Sequence, residues 1–461
     1  GEIFEYQTPQ QRMPSWLEGG SGVGFNGYDN AVGFDDMFPT RGFGTKSQRF
    51  DQDAFPWRMN TKVVMEYVDA GNGNTSYFVC SGGMQDAEVV FVAGHCVYNR
   101  DNDSTGSDFG FADRIWVYPG WDGNSLTLGV PDVIQHYGWA QSETYVAWTG
   151  YTVDGDFAWD VGFIRTSRAV GMLTGWYGYA WGFGCSTIQS RTYNNTSFPS
   201  EFCGGSLHNG RDMYYLFGGI DDCVGTNDNQ LQINTTPGCF TALWGGESGS
   251  NIYYIDGSSR FAHGTASNSN RTTVGRYAKL WEGASDYLNN TFRPDARGTA
   301  LDLQALQFRL DDTTITASQG SAGDMQVPNP TNNNPGSRSY GFNVYLSTNN
   351  NISSFDTLLH DWSYTWDYAP MQNLTVNLGT MTVPKNTPSG TYWMGVELDA
   401  GIDARDANND TDTWDAQQIT VTGIADIVAN TCGAPSGTVY HGDTIPVSYN
   451  VTNEGGDPSN S

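Results

Sequence analysis

Apolar, aromatic and β-branched residues in this chain come in short runs, each cut off by a cluster of Gly, Asn, Asp or Ser. Lys62-Val63-Val64-Met65-Glu66-Tyr67-Val68, Ile115-Trp116-Val117-Tyr118 and Tyr340-Gly341-Phe342-Asn343-Val344-Tyr345-Leu346 are examples. With 57 glycines dispersed through 461 residues, long helices have little room, and the pattern predicts a mostly β protein built of short strands. The clearest helical spacing is Tyr277, Leu280, Trp281, Ala284, Tyr287 and Leu288, which predicts one amphipathic helix. A chain this long exceeds one ordinary core, so two or three domains are expected.

Composition narrows the function. The net charge of −28, from 50 acidic against 22 basic side chains, is spread along the chain and excludes nucleic acid, which needs a concentrated basic face. No run approaches the roughly 18 apolar residues of a membrane span. Six of the seven cysteines (Cys80, Cys96, Cys185, Cys203, Cys223 and Cys239, with Cys432 apart) fall in one stretch, and none forms C-x-x-C. That favours disulfides over zinc, and hence an oxidising compartment: a secreted, extracellular or cell-surface protein. The start at Gly1, with no Met and no apolar leader, is read as a signal peptide already removed. Eleven N-x-S/T sequons, among them Asn74, Asn194, Asn195, Asn234, Asn351 and Asn409, offer N-glycosylation positions.

Three local patterns carry chemistry. Glu88-Val89-Val90-Phe91-Val92-Ala93-Gly94-His95-Cys96 is a strand running into a small-residue turn with a histidine, and a Cys80–Cys96 bridge would pin that turn. Trp159-Asp160-Val161-Gly162-Phe163-Ile164 places an acid in an apolar strand, where a charge needs a partner such as a histidine Nδ1–H. Trp244-Gly245-Gly246-Glu247-Ser248-Gly249-Ser250 is a glycine-flanked serine whose backbone can turn sharply and aim N–H groups at an oxygen.

In the order His, Asp, Ser, these motifs resemble the chymotrypsin-fold serine endopeptidases, most closely their glutamyl-endopeptidase branch, over about residues 55–292. The resemblance implies a trypsin-like pair of six-stranded antiparallel β-barrels and a catalytic triad of His95, Asp160 and Ser248. It also implies an oxyanion hole from the N–H groups of Gly246 and Ser248. His263 falls where that branch carries an S1 histidine. With Thr265 or Ser267 adding hydroxyls, it implies a preference for Glu at P1, while the indole of Trp244 would narrow the pocket. Glu247 stands where relatives carry Asp, Asn or Gln. For the four remaining clustered cysteines, Cys185–Cys203 and Cys223–Cys239 are the first of three connectivities.

Residues 1–54 read as an N-terminal extension or pro-segment, 55–292 as the protease domain and 293–299 as a linker. Residues 300–423 alternate apolar and polar and resemble a CARDB-like, immunoglobulin-type β-sandwich; 424–461 resemble the first strands of a second, incomplete module. The triad chemistry requires no cofactor and no metal. Ca2+ has only the weak support of the Asp101–Asp108 loop, which has Ala112 where an EF-hand needs Glu, and of the acidic stretch 403–412. The partners expected are a protein or peptide substrate, and other chains or further modules completing the last sandwich. The competing reading is an inactive protease-like domain in a structural or adhesive extracellular assembly.

Overall fold

The structure, a computed structural model, describes residues 3–7, 42–43, 46–68, 73–100, 110–123, 137–202, 206–207, 210–235, 243–399, 410–411, 415–433 and 436–458. Strand outweighs helix by 49% to 11%, which settles the mostly β class. The chain divides into two compact units; the first holds residues 1–302, 328–335 and 368–373, and the second the remainder.

In the first unit, strands β1 (Asn60–Val68), β2 (Thr75–Met84), β3 (Val89–Val92), β4 (Arg114–Pro119), β5 (Ala140–Trp148) and β6 (Gly162–Thr166) hydrogen-bond in the order β5-β6-β3-β2-β1-β4. Pairing of Ala140 and Gln141 with Val117 and Trp116 closes them into an antiparallel barrel. On β1, Val63, Met65 and Tyr67 fill the barrel with Val92, Ile115 and Tyr145, while Val64 packs outside it with Trp116 and Tyr118. Burial on both faces is why β1 reads as a continuous apolar run rather than an alternation.

The second sheet of this unit contains β7 (Thr192–Ser197), β8 (Tyr214–Gly219), β9 (Gln230–Asn234), β10 (Asn251–Asp256), β11 (Ser259–Ser269) and β12 (Val274–Lys279), ordered β9-β12-β11-β10-β7-β8. Among the described residues its two end strands are not paired with each other. Val89, Phe91 and Phe163 of the barrel share one buried cluster with Tyr253, Ala262 and Leu280, so the two sheets meet over a common core. Residues 3–7 extend the barrel sheet along β5, and 47–48 extend the second sheet along β8.

Several expectations are corrected. Tyr277 is not helical: it lies in β12, opposite Ala266 and Leu231, and helix α1 begins only at Glu282 and runs to Tyr287. Its apolar spacing continued by chance from a strand into the helix. Residues 293–297, taken as linker, are helical, and Arg293 and Arg297 both bind the Asp86 carboxylate at 2.7 and 2.8 Å.

Cys80 and Cys96 are joined. Cys185 pairs with Cys223, which overturns the pairings Cys185–Cys203 and Cys223–Cys239. The short helix opened by Cys185 brings its Cα 5.8 Å from that of Cys223, inside the range a disulfide bridges. Cys203 and Cys239 lie outside the described residues, as do Asn409, most of the 403–412 stretch and the whole Asp101–Asp108 loop.

Asn194 and Asn195 are buried on β7, and the Asn195 amide donates to Ser250 Oγ at 2.9 Å. Neither has room for a glycan. Asn74, Asn234 and Asn351 are exposed.

The second unit forms two sheets. One orders β13 (Leu306–Leu310), β15 (Gly320–Asn329) and β18 (Gln372–Thr382). The other orders β14 (Thr314–Thr316), β20 (Gln417–Thr422), β19 (Gly390–Asp399), β16 (Ser337–Ser347) and β17 (Thr357–Asp367). Alternate residues are buried on both, as with Leu306, Phe308 and Leu310, or Tyr340, Phe342 and Val344, which is the signature of half-buried strands. Beyond them β21 (Ile427–Gly433) pairs with β22 (Ser448–Asn453) in an exposed hairpin. Among the described residues no helix is long and apolar enough to cross a membrane.

Candidate active site

Strand β3 is wholly buried and ends in a 3-10 turn, Gly94–Cys96, which the Cys80–Cys96 bridge ties to β2. That turn carries His95 to the surface of the barrel. Asp160 follows another 3-10 turn, Phe157–Trp159, capped by the Asp156 carboxylate; it stands just before β6 rather than inside a strand. Its side chain is fully buried and accepts three donors. His95 backbone N–H lies 2.8 Å from Oδ1, and His95 Nδ1 and Ser267 Oγ lie 2.7 and 2.6 Å from Oδ2. These bonds offset the cost of burying the charge.

With Nδ1–H held by the carboxylate, the neutral imidazole keeps its lone pair on Nε2. Burial lowers the pKa of the His95 ring, but the charge of Asp160 and its hydrogen bond outweigh that and leave it raised above 6.5. The ring remains 24% exposed, open to a reactant.

Ser248 sits in two consecutive tight turns, closed by Glu247 N–H donating to Trp244 O at 3.2 Å and Ser250 N–H donating to Glu247 O at 3.0 Å. Ser200 N–H donates to Gly245 O at 2.7 Å. In a trans peptide the N–H points opposite to its carbonyl. Fixing the carbonyls of Gly245 and Glu247 in this way turns the N–H groups of Gly246 and Ser248 the other way. No acceptor among the described residues takes either of them. Ser81 secures the loop from β2, its hydroxyl donating to Gly246 O at 2.8 Å and its N–H to Ser248 O at 2.7 Å. Gly246 has φ +84°, and a Cβ there would lie 2.3 Å from Ser200 N, so only glycine fits.

His95 and Ser248 line one cleft of about 740 Å³, with Leu243, Trp244, Ala266, Ser267, Arg100 and Arg271 also in its wall. Trp244 lines the same cleft as His95 and Ser248. His263 and Thr265 do not. Both are fully buried on β11, whose cleft-facing part begins at Ala266. The His263 ring bonds Tyr193 OH at 2.8 Å and packs on Phe183. Burial, reinforced by the charges of Lys279 and Arg191, lowers its pKa to about 3. Neither side chain lines the cleft, so this structure does not support the S1 assignment to His263 and Thr265. Ser267 lines the cleft, but its hydroxyl donates to Asp160.

Two further groups escaped sequence reasoning. The Glu247 carboxylate is buried and holds Lys46 Nζ at 2.5 and 2.6 Å. Lys46 lies 201 positions away in a stretch without periodicity, so no local signal marks it. Ser81 lies in β2, in a Ser-Gly-Gly stretch that carries no motif to mark it. The one group of possible metal ligands among the described residues is Cys80, His95 and Cys96, and its sulfurs are consumed by the disulfide, so a thiolate-held ion does not fit there.

A search of protein-family models finds no match. Among curated proteins the chain is similar to an "Extracellular metalloprotease" of Bacillus subtilis (strain 168), 29% identical over 126 residues, 27% of this chain and 34% of that protein. It is also similar to a "Glutamyl endopeptidase" of Bacillus licheniformis, 29% identical over 149 residues, 32% of this chain and 42% of that protein. The chain therefore spans between a third and a little over two fifths of the length of these relatives. Solved structures similar to it include a Glu endopeptidase in complex with MPD, at 16% identity over 53% of this chain and 95% of that chain, with TM-score 0.39. Another is the CARDB domain of a Pyrococcus furiosus protein in complex with di-metal ions, at 14% identity over 27% of this chain and 96% of that chain, with TM-score 0.20.

Proposed function

We propose that the first unit is a serine endopeptidase working through His95, Asp160 and Ser248. The observation that carries this reading is a buried carboxylate orienting a half-open histidine, on the same cleft as a serine whose turn presents two N–H groups. Ser248 Oγ attacks the scissile carbonyl carbon while His95 Nε2 takes its proton, and the negative oxygen forms against the N–H groups of Gly246 and Ser248. His95 then passes that proton to the leaving amine as the C–N bond breaks, leaving an acyl-enzyme that water hydrolyses by the same route.

A preference for Glu at P1 loses the support of His263. The basic groups in the cleft wall are Arg100 and Arg271, and in this reading they recognise an acidic substrate side chain. The protein works outside the cell, in keeping with the two disulfides among its described residues and the printed name of its Bacillus subtilis relative. The sheets of the second unit serve as attachment modules.

Labelling with a fluorophosphonate tests the core of the reading. Wild-type protein is expected to be modified and Ser248→Ala not. Folded wild type that resists the probe would sink the enzyme reading in favour of a protease-like domain in an extracellular assembly.

A further inference from the structure

We infer that Lys46 is a positioning residue that holds the nucleophile turn in its working shape, which makes the segment around it a permanent part of the peptidase. The inference rests on the peptidase reading of Ser248.

Glu247 immediately precedes the nucleophile and points away from the cleft into the protein. Its carboxylate accepts Ser197 Oγ at 3.2 Å, Trp244 backbone N–H at 2.9 Å, and Lys46 Nζ at 2.5 and 2.6 Å through its two oxygens. The Lys46 and Glu247 side chains are 0% and 1% exposed, so neither charge has water as an alternative partner. Without the ammonium, a buried carboxylate would be left without its cation, and its escape is to swing toward solvent. A swing of Glu247 releases the Trp244 N–H and loosens the turn that Glu247 N–H closes on Trp244 O. The peptide that follows Glu247 supplies the Ser248 N–H, one of the two oxyanion donors.

The segment bearing Lys46 is built in. Phe43 is buried in the core of the second sheet and stacks on Tyr277 at 6.4 Å. Ser47 and Gln48 pair with Tyr215 and Tyr214. Arg49 donates its N–H to Met213 O at 2.9 Å, and its guanidinium lies 4.0 Å from the Trp57 ring centre. A removable pro-segment would have to end before this point to leave the turn intact.

Because the oxyanion forms only as the carbonyl is attacked, loss of Lys46 should act on kcat and leave KM unchanged. The expected size is that of losing one oxyanion donor, about 10²–10³-fold. The experiment compares wild type, Lys46→Met and Lys46→Met/Glu247→Gln for kcat and KM on a chromogenic peptide, rate of fluorophosphonate labelling and melting temperature. Lys46→Met is expected to lose at least about 10²-fold in kcat and in labelling rate. The double variant, in which a neutral amide still accepts the Trp244 N–H, is expected to recover most of both. Lys46→Met with nearly wild-type kcat, or a folded double variant as slow as the single one, overturns the role. Should the single variant not fold, the double variant decides by the same criterion. Wild type that takes no label overturns the peptidase reading and this role together, a result no variant can imitate.

Discussion

Replacing Asp160 by Asn tests the candidate site at its most constrained atom. The carboxylate accepts three donors, His95 N–H on Oδ1 and both His95 Nδ1–H and Ser267 O–H on Oδ2, while an amide has one acceptor oxygen. With that oxygen in the Oδ2 position the ring and Ser267 are served, but the NH2 group confronts the His95 backbone N–H across 2.8 Å. With the amide reversed, its oxygen takes the backbone N–H, Ser267 rotates to accept, and the NH2 donates to Nδ1. The ring proton then moves to Nε2, and the base has no lone pair for Ser248. A buried donor facing a donor costs about 1–3 kcal/mol, so the reversed, inactive arrangement prevails by roughly 5- to 150-fold. The fraction that keeps the right tautomer still lacks the charge that stabilises the imidazolium. Together these losses should lower kcat by about 10³–10⁴-fold, while stability changes little because the reversed amide is satisfied. The residual activity should titrate at lower pH, since the Asp160 charge is what lifts the His95 pKa against burial. The assay is kcat/KM against pH on a chromogenic peptide, beside a melting curve. Activity within tenfold of wild type, in a protein that melts normally, would refute the reasoning.

Two further outcomes follow from groups away from the chemistry. His263 stays neutral in the folded state down to about pH 3, whereas in the unfolded chain it protonates near 6.5. The stability this gives is complete above pH 6.5 and is lost as pH falls toward 3, at about 1.4 kcal/mol per unit, or some 3 kcal/mol between pH 6.5 and 4.5. In urea unfolding of the first unit's tryptophan signal, His263→Gln should flatten that slope; an unchanged slope would mean the ring is protonated in place. The Cys185–Cys223 bridge closes a loop of sequence separation 38, and Cys185→Ala/Cys223→Ala should lower stability by about 4 kcal/mol on the chain-entropy estimate. A double variant as stable as the parent would show that the pair is not bridged in solution.

What the sequence made legible was local. A buried strand followed by small residues marked the His95 turn, glycines marked the Ser248 turn, and short apolar runs marked the β class, because each depends on residues within a few positions of one another. The failures are contacts that cross the fold. The hydroxyl that supports Asp160 comes from Ser267, 107 positions away, and the resemblance that nominated His263 does not say which residues of β11 reach the cleft. Four cysteines left three connectivities open, and a short helix and a strand brought together Cys185 and Cys223, 38 positions apart. Asn194 and Asn195 satisfy a sequon, yet strand alternation says nothing about a β7 buried on both faces.

The two buried acids beside the nucleophile are solved by the same means. Each accepts one backbone N–H, one serine hydroxyl and one nitrogen base: His95 N–H, Ser267 and the His95 ring for Asp160; Trp244 N–H, Ser197 and Lys46 for Glu247. They differ in whether the third partner meets the substrate. The His95 ring is partly open to the cleft and must gain and lose a proton in every turnover, so Asp160 stabilises a charge that comes and goes. Lys46 is sealed from the cleft, so its pair with Glu247 takes no part in proton transfer and can only fix geometry. Substitutions at the first acid should therefore change how activity depends on pH, and substitutions at the second should change its size while leaving the shape of the pH profile as it was. A pH optimum that moves in Lys46→Met would mean that the two carboxylates are coupled through the turn that separates them.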